Sequence, residues 1–173
     1  MAVPKRILVV GATGSGKTTI ARQLSARYDL PHVELDVLYW GPGWTELEGF
    51  DENAGKLVAE DRWIVEGGYE SIMPTAWSRA DRVVWLDYPF PIVFWQLVTR
   101  ILIRMVTREE LFNGNRETVA RHFFSRDSLI LWLFRTYRIR REKSLERMHT
   151  YPDVPVTHLR SRRETNAWLR SLD

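Results

Sequence analysis

Short apolar runs that stop at a glycine or an acid alternate along this chain with longer stretches of helical spacing. Residues 6–10 (RILVV) are β-branched and end at Gly11, which predicts a buried strand. Residues 17–27 space Ile20, Ala21, Leu24 and Ala26 as a helix does, and 32–35 form a second short strand ending before Asp36. Helical spacing returns at 50–60. Residues 62–65 (RWIV) then read as a strand running into Glu66-Gly67-Gly68. A short helix over 72–79 precedes a strand at 82–86 (RVVWL), which ends at Asp87. Pro89 and Pro91 open a long apolar helix to about residue 106. Residues 107–117 (TREELFNGNRE) are polar, contain Asn113-Gly114 and read as a loop or flap. A helix fills much of 118–148, and 154–159 (VPVTHL) make a fifth strand. Ser161-Arg162-Arg163-Glu164 is a capping box that opens the last helix.

This alternation predicts an α/β domain with a mainly parallel sheet. Ligands of such sheets sit beyond the carboxyl ends of the strands. Four of the five predicted strands run into a suggestive residue there: Gly11, Asp36, Glu66 and Asp87. A length of 173 residues suits one domain spanning 1–173, with a flap region at about 105–120. Residues 88–106 imitate a membrane span, but Gln96, Arg100 and Arg104 interrupt them. The expectation is a buried helix with one polar stripe.

Composition narrows the classes. Hydrophobic residues at 45% and aromatics at 12% supply a real core. The absence of cysteine excludes a disulfide scaffold, thiolate metal ligands and a cysteine nucleophile. The first apolar run breaks at Gly11, too early for a secretory signal, so the expectation is a cytoplasmic protein with no membrane partner. Charge is uneven. Residues 1–99 carry nine basic and thirteen acidic side chains, and residues 100–173 carry sixteen and nine. Twenty-one of the 25 basic residues are arginine, whose planar fork suits phosphate.

The strongest motif is GATGSGKTT: Gly11, Ala12, Thr13, Gly14, Ser15, Gly16, Lys17, Thr18 and Thr19. It fits G-x-x-x-x-G-K-[ST], with a predicted strand before it and a helix after. Glycines let successive backbone N–H groups turn toward one phosphate, and the helix presents its positive end to the same anion. Lys17 neutralises the β- and γ-phosphates, and the Thr18 hydroxyl offers a Mg²⁺ ligand. The dinucleotide fingerprint G-x-G-x-x-G does not fit, because the glycines fall at 11, 14 and 16. A Mg²⁺–ATP site usually adds an acid at a strand end, for which Glu66, Asp87 and Asp36 are the candidates. Gln96, Arg100, Arg104 and Arg108 recur every four residues along one helix face, where Arg100 and Arg104 are candidates to stabilise a transferring phosphoryl group. Tyr39, Trp40 and Trp44, in VELDVLYWGPGW, either stack on a substrate base or pack in the core.

Together the phosphate loop, LD-x-LYW at 35–40, WIVEGGY at 63–69, LDYP at 86–89 and the arginine helix resemble small P-loop kinases of the nucleoside-monophosphate and shikimate kinase type. The nearest resemblance is to the adenylate-kinase-related family labelled DNA topology modulation proteins. It implies a three-layer fold around a five-stranded parallel sheet of order 2-3-1-4-5, with a helical flap closing over ATP. It implies that residues Gly11 to Thr18 bind the ATP phosphates and that Asp36 faces the acceptor or Mg²⁺. Gly67, Gly68 and Tyr69 would floor the acceptor site. Arg100, Arg104, Arg108 and Arg116 would be flap arginines, and Arg160, with Ser161 and Arg162, would lie near the adenine. It also implies a monomer or weak dimer. The chain departs from the family at Glu66, Gly68 and Gln96.

These readings predict an ATP- and Mg²⁺-dependent kinase transferring the γ-phosphoryl to a small-molecule acceptor, either a nucleoside monophosphate or a hydroxylated metabolite. The departures motivate an alternative, a nucleotide-binding regulator with weak ATPase activity. A third reading is nucleic-acid association through residues 135–143 (RTYRIRREK) with Arg160, Arg162 and Arg163.

Overall fold

The computed structural model describes residues 3–107, 112–115 and 128–172. Five strands, β1 (Arg6–Gly11), β2 (His32–Glu34), β3 (Trp63–Glu66), β4 (Arg82–Leu86) and β5 (Val156–Leu159), form one parallel sheet of order β2-β3-β1-β4-β5. The sheet order expected from the family resemblance holds. Its registers pair Val9 with Glu66 and with Val84, and Leu86 with Leu159. The strands read as continuous apolar runs because the sheet is covered on both faces. Ile7, Val9, Ile64, Val84 and Leu86 point to one core, and Leu8, Val10, Trp63, Val65, Val83 and Trp85 to the other.

Helix α1 (Lys17–Tyr28) packs Ile20, Ala21 and Leu24 into the first core. A short helix α2 (Leu35–Tyr39) follows β2, and α3 (Phe50–Ala59) buries Phe50, Ala54 and Val58 in the second core. That core also takes Met73, Ala76 and Trp77 of α4 (Met73–Arg79). Helix α5 (Phe90–Thr107) returns to the first core. Helix α6 (Leu129–Thr150) touches both: Leu133 is buried in the first, while Leu145 and Met148 pack on the second. It therefore crosses the carboxyl edge of the sheet, and residue 140 lies midway across. In α7 (Arg162–Ser171) the capping box forms, with Ser161 Oγ accepting from Glu164 N and Glu164 Oε2 accepting from Arg160 N (3.2 and 2.7 Å).

Two expectations change, and a third lies mostly outside the described residues. Asp36 does not end a strand: β2 stops at Glu34, where its ladder with β3 ends at Glu66, and Asp36 lies in the first turn of α2. Leu35 forces this turn by inserting into the second core, with Gly67 pressed against it. Secondly, α5 is not a buried helix. Val93, Leu97 and Ile101 form a single buried row in the first core, with Val93 and Leu97 against Gly14, while Trp95, Leu102, Ile103 and Val106 are exposed. By length and composition alone α5 is apolar enough to cross a membrane. Thirdly, of the flap and the helix expected from 118, only the turn Phe112–Gly114, Asn115 and the helix from Leu129 fall among the described residues, and Arg108 and Arg116 lie outside them.

Candidate active site

The phosphate loop joins the buried strand β1 to α1 at the centre of the sheet's carboxyl edge. The loop is seated on α5. Gly14 has φ +87°, and a Cβ there would stand 2.8 Å from Leu97 Cβ and 3.1 Å from Val93 O, so only glycine fits this approach. Ser15 N donates to Ala12 O (3.1 Å), closing the turn, and Ser15 Oγ is buried with no hydrogen-bond partner. A buried hydroxyl without a partner at the bottom of a glycine cradle fits an anion.

Lys17 folds back over the loop, donating from Nζ to Ala12 O (3.1 Å). Its ammonium is lowered to about 8, chiefly by burial, with the charges of Arg140 and Arg100 acting the same way and those of Glu66 and Asp36 opposing. Four side chains from four other elements thus act on one lysine. The loop opens on a cavity of ≈ 760 Å³, within the range of small-molecule sites, whose wall includes Thr18, Glu34, Arg100, Arg104 and Arg162. With its amide oriented to satisfy both ends, Gln96 donates to Gly14 O (2.7 Å) and accepts from Arg162 Nε (2.6 Å). Gln96 therefore clasps the phosphate loop to α7, a use that the sequence pattern does not reveal.

Arg160 is exposed and does not line this cavity; Arg162, two residues later, does. Arg162 is held toward the loop by its hydrogen bonds to Gln96. Glu66 is 4% exposed and lies 3.3 Å from His32 Nε2 through Oε1. Glu34, paired with it across the ladder, is pushed up by burial and then by Glu66's charge, against the hydrogen bond from Arg22. The sequence reading passes over Glu34. Its signal is the alternation Glu34-Leu35-Asp36 at the end of a strand. Asp87 is held by Arg141 Nε (3.1 Å) and His158 Nε2 (2.9 Å), and His158 stacks on Trp85, so this acid is spoken for.

A second group of residues meets beside the loop. Tyr69 Oη donates to Asp36 Oδ1 at 2.5 Å, and burial, with Asp36's charge behind it, pushes the phenol upward and keeps it a donor. The Arg140 guanidinium lies over Gly68, where a Cβ would meet its Cζ at 3.0 Å. Burial lowers Arg140, while Asp36, Tyr69 and Glu70 hold its charge. Gly68, with no side chain, leaves the space this arginine occupies. Tyr39 packs at the edge of the second core against Tyr69 and Phe50 (centroids 4.7 and 5.2 Å), while Trp40 and Trp44 are half-buried and meet edge-on at 6.0 Å. The turn that carries these rings is clipped in place. Asn113 Nδ2 donates to Trp40 O (2.6 Å), Asn115 Nδ2 to Gly41 O (2.8 Å), and Trp44 N to Asn115 Oδ1 (3.0 Å).

No protein-family model and no curated protein sequence matches the chain. Among solved structures it is similar to shikimate kinase from Acinetobacter baumannii in complex with shikimate, at 16% identity and a TM-score of 0.61 over 97% of this chain and 90% of that one. It is also similar to shikimate kinase from Bacteroides thetaiotaomicron (14%, 0.53, 98% and 97%) and to a gluconokinase from Sinorhizobium meliloti 1021 (16%, 0.52, 99% and 95%). The chain has the fold of the small P-loop kinases. Within that fold, Asp36, Tyr69, Gly67, Gly68 and Arg140 gather on the β3 side of the phosphate loop, and Arg100, Arg104 and Arg162 gather on the α5–α7 side.

Proposed function

We propose that this chain is an ATP-dependent phosphotransferase whose acceptor is a small hydroxylated molecule carrying an anionic group. The observation that supports it most is the pairing of Asp36 with Tyr69 beside the sequestered guanidinium of Arg140, with both Asp36 and Arg140 acting electrostatically on Lys17 of the phosphate loop. A buried cation over a glycine step calls for an anion, and a carboxylate one side chain away calls for a hydroxyl.

In this reading the loop backbone and Lys17 hold the β- and γ-phosphates in the ≈ 760 Å³ cavity. Thr18, and Glu66 through water, would hold Mg²⁺, which supplies charge neutralisation along the phosphate chain. Asp36, held in place by Tyr69, orients the acceptor hydroxyl and takes its proton as the acceptor oxygen bonds to the γ-phosphorus. The bond to the bridging oxygen breaks in line, and ADP leaves. Arg100 and Arg104 face the charge that spreads over the transferring group. Arg140 binds the acceptor's anion. LD-x-LYW and WIVEGGY carry the resemblance to proteins labelled for DNA topology modulation, and no DNA chemistry is proposed from it.

Asp36→Asn tests the assignment of roles. It keeps the shape and hydrogen bond toward Tyr69 but cannot take a proton. ATP affinity by calorimetry should stay within about twofold, while transfer falls by roughly 10²–10⁴. Unchanged transfer would make Asp36 a purely structural residue and favour a nucleoside monophosphate acceptor, which needs no base.

A further inference from the structure

On the α1 side of the sheet, His32, Glu34 and Glu66 bring one imidazole nitrogen and two carboxylates within 4.8 Å of one another. The ladder fixes them there. His32 pairs with Ile64 and Glu34 with Glu66, so alternation along two adjacent parallel strands turns all three side chains to one face. They are withdrawn from solvent, with side chains 11%, 16% and 5% exposed in that order. The carboxylates are balanced unevenly. Glu66 has His32 at 3.3 Å, and Glu34 has Arg22 at 3.0 Å, a side chain that is 71% exposed and free to swing away. Two sequestered carboxylates across a ladder repel, and a mixed nitrogen–oxygen set converging on one point is what a metal ion requires.

We propose that, when no nucleotide is bound, His32, Glu34 and Glu66 bind one divalent transition-metal ion of the Mn²⁺, Co²⁺ or Zn²⁺ class, with Glu66 the one residue shared with the Mg²⁺ site of the ATP complex. The imidazole sets the class. Mg²⁺ demands oxygen ligands and gives up its waters reluctantly, whereas Mn²⁺, Co²⁺ and Zn²⁺ accept mixed nitrogen and carboxylate donors. Metal–ligand bonds of about 2.0–2.1 Å at the tetrahedral angle put donor atoms roughly 3.4 Å apart. The His32–Glu66 pair already stands at 3.3 Å, so only Glu34 has to close, after exchanging Arg22 for the metal. Glu34 also lines the cavity that contains Thr18 and Lys17, so the remaining coordination positions open toward the phosphate loop. The ion would charge that wall of the cavity positively and draw Glu66 away from Lys17.

Titration of the full chain with CoCl₂, free of nucleotide and Mg²⁺, tests this. Saturable visible absorption bands at one equivalent are expected, with competition by ZnCl₂ and MnCl₂ and none by MgCl₂ at the same concentration. His32→Ala should weaken binding at least about tenfold, the loss usual even for residues behind the ligands. His32→Gln, which keeps a hydrogen-bond partner for Glu66, guards against a folding defect and should also lose the bands. Lys17→Ala separates this proposal from the kinase reading. It removes ATP binding and a positive charge near Glu66, so Co²⁺ binding should persist or tighten. Absent binding at millimolar Co²⁺, an unchanged spectrum in both His32 variants, or equal competition by Mg²⁺ would overturn the proposal and leave a hydrogen-bonded His–Glu pair.

Discussion

Lys17 meets two opposed demands, and they have opposite signs in pH. Folding buries its ammonium and lowers it from 10.5 to about 8. The unfolded chain therefore holds a proton that the folded chain has lost between about pH 8 and 10.5. The cost of burying the charge is full below pH 8 and is relieved as pH rises through that window, so this group makes the free protein more stable there. ATP needs the charged form, so its affinity should fall above pH 8, by at most about tenfold per unit. Calorimetric ATP titrations from pH 7 to 9.5, repeated on Lys17→Met, check this, and a flat profile would place Lys17 outside the phosphate site. Arg140→Ala should raise the acceptor's KM by roughly 10–100-fold while ATP affinity stays put, since hydrogen bonds to a charged group contribute about 1.5–3 kcal/mol. Steady-state kinetics on any turned-over acceptor reads it, and a fall in ATP affinity instead would assign Arg140 to the nucleotide. Lys17 and Thr18 were legible from spacing alone, because a phosphate cradle needs those residues in that order. Arg140 was hidden in a basic run that reads as a solvated or nucleic-acid face. Only the path of α6 across the sheet edge turns Arg140 and Arg141 inward, to Gly68 and Asp87.

At the scale of elements, apolar runs were reliable guides where a strand is buried on both faces, as in β1, β3 and β4. They failed at β2. Its three residues carry too little pattern to show that Leu35 leaves the ladder for the core. Hydropathy likewise found α5 but not its exposure, since periodicity does not say how many neighbours a helix has. The clip at Asn113 and Asn115 was legible only as a turn signal. Its consequence is measurable. Asn115 is 4% exposed and bonds both Gly41 O and Trp44 N, which also bond each other at 3.1 Å, so Asn115→Ala removes two hydrogen bonds that hold this turn. The expected loss is about 1–3 kcal/mol, seen as a lower denaturation midpoint. Asn115→Asp keeps acceptance from Trp44 N and should lose less. Equal losses would show that the bond from Trp44 N contributes nothing.

The whole molecule is a sheet whose carboxyl edge gathers residues far apart in sequence. Tyr69 reaches Asp36 across 33 positions, Arg140 lies over Gly68, and Gln96 joins the phosphate loop to Arg162. The sheet order followed from the family resemblance because right-handed crossovers leave few ways to wind five parallel strands. The proposed acceptor site was only half legible, because helix direction rather than any motif delivers its cation. The account's central claim is that this edge joins ATP to an anionic, hydroxylated acceptor. The direct measurement is release of ADP from Mg·ATP by the purified chain, across a panel of hydroxylated carboxylic acids, sugar acids, neutral sugars and nucleoside monophosphates. Release should rise well above the acceptor-free rate for a hydroxylated acid and not for its neutral counterpart. ATP binding with no acceptor-dependent release anywhere in the panel would contradict the claim and favour a nucleotide-binding regulator.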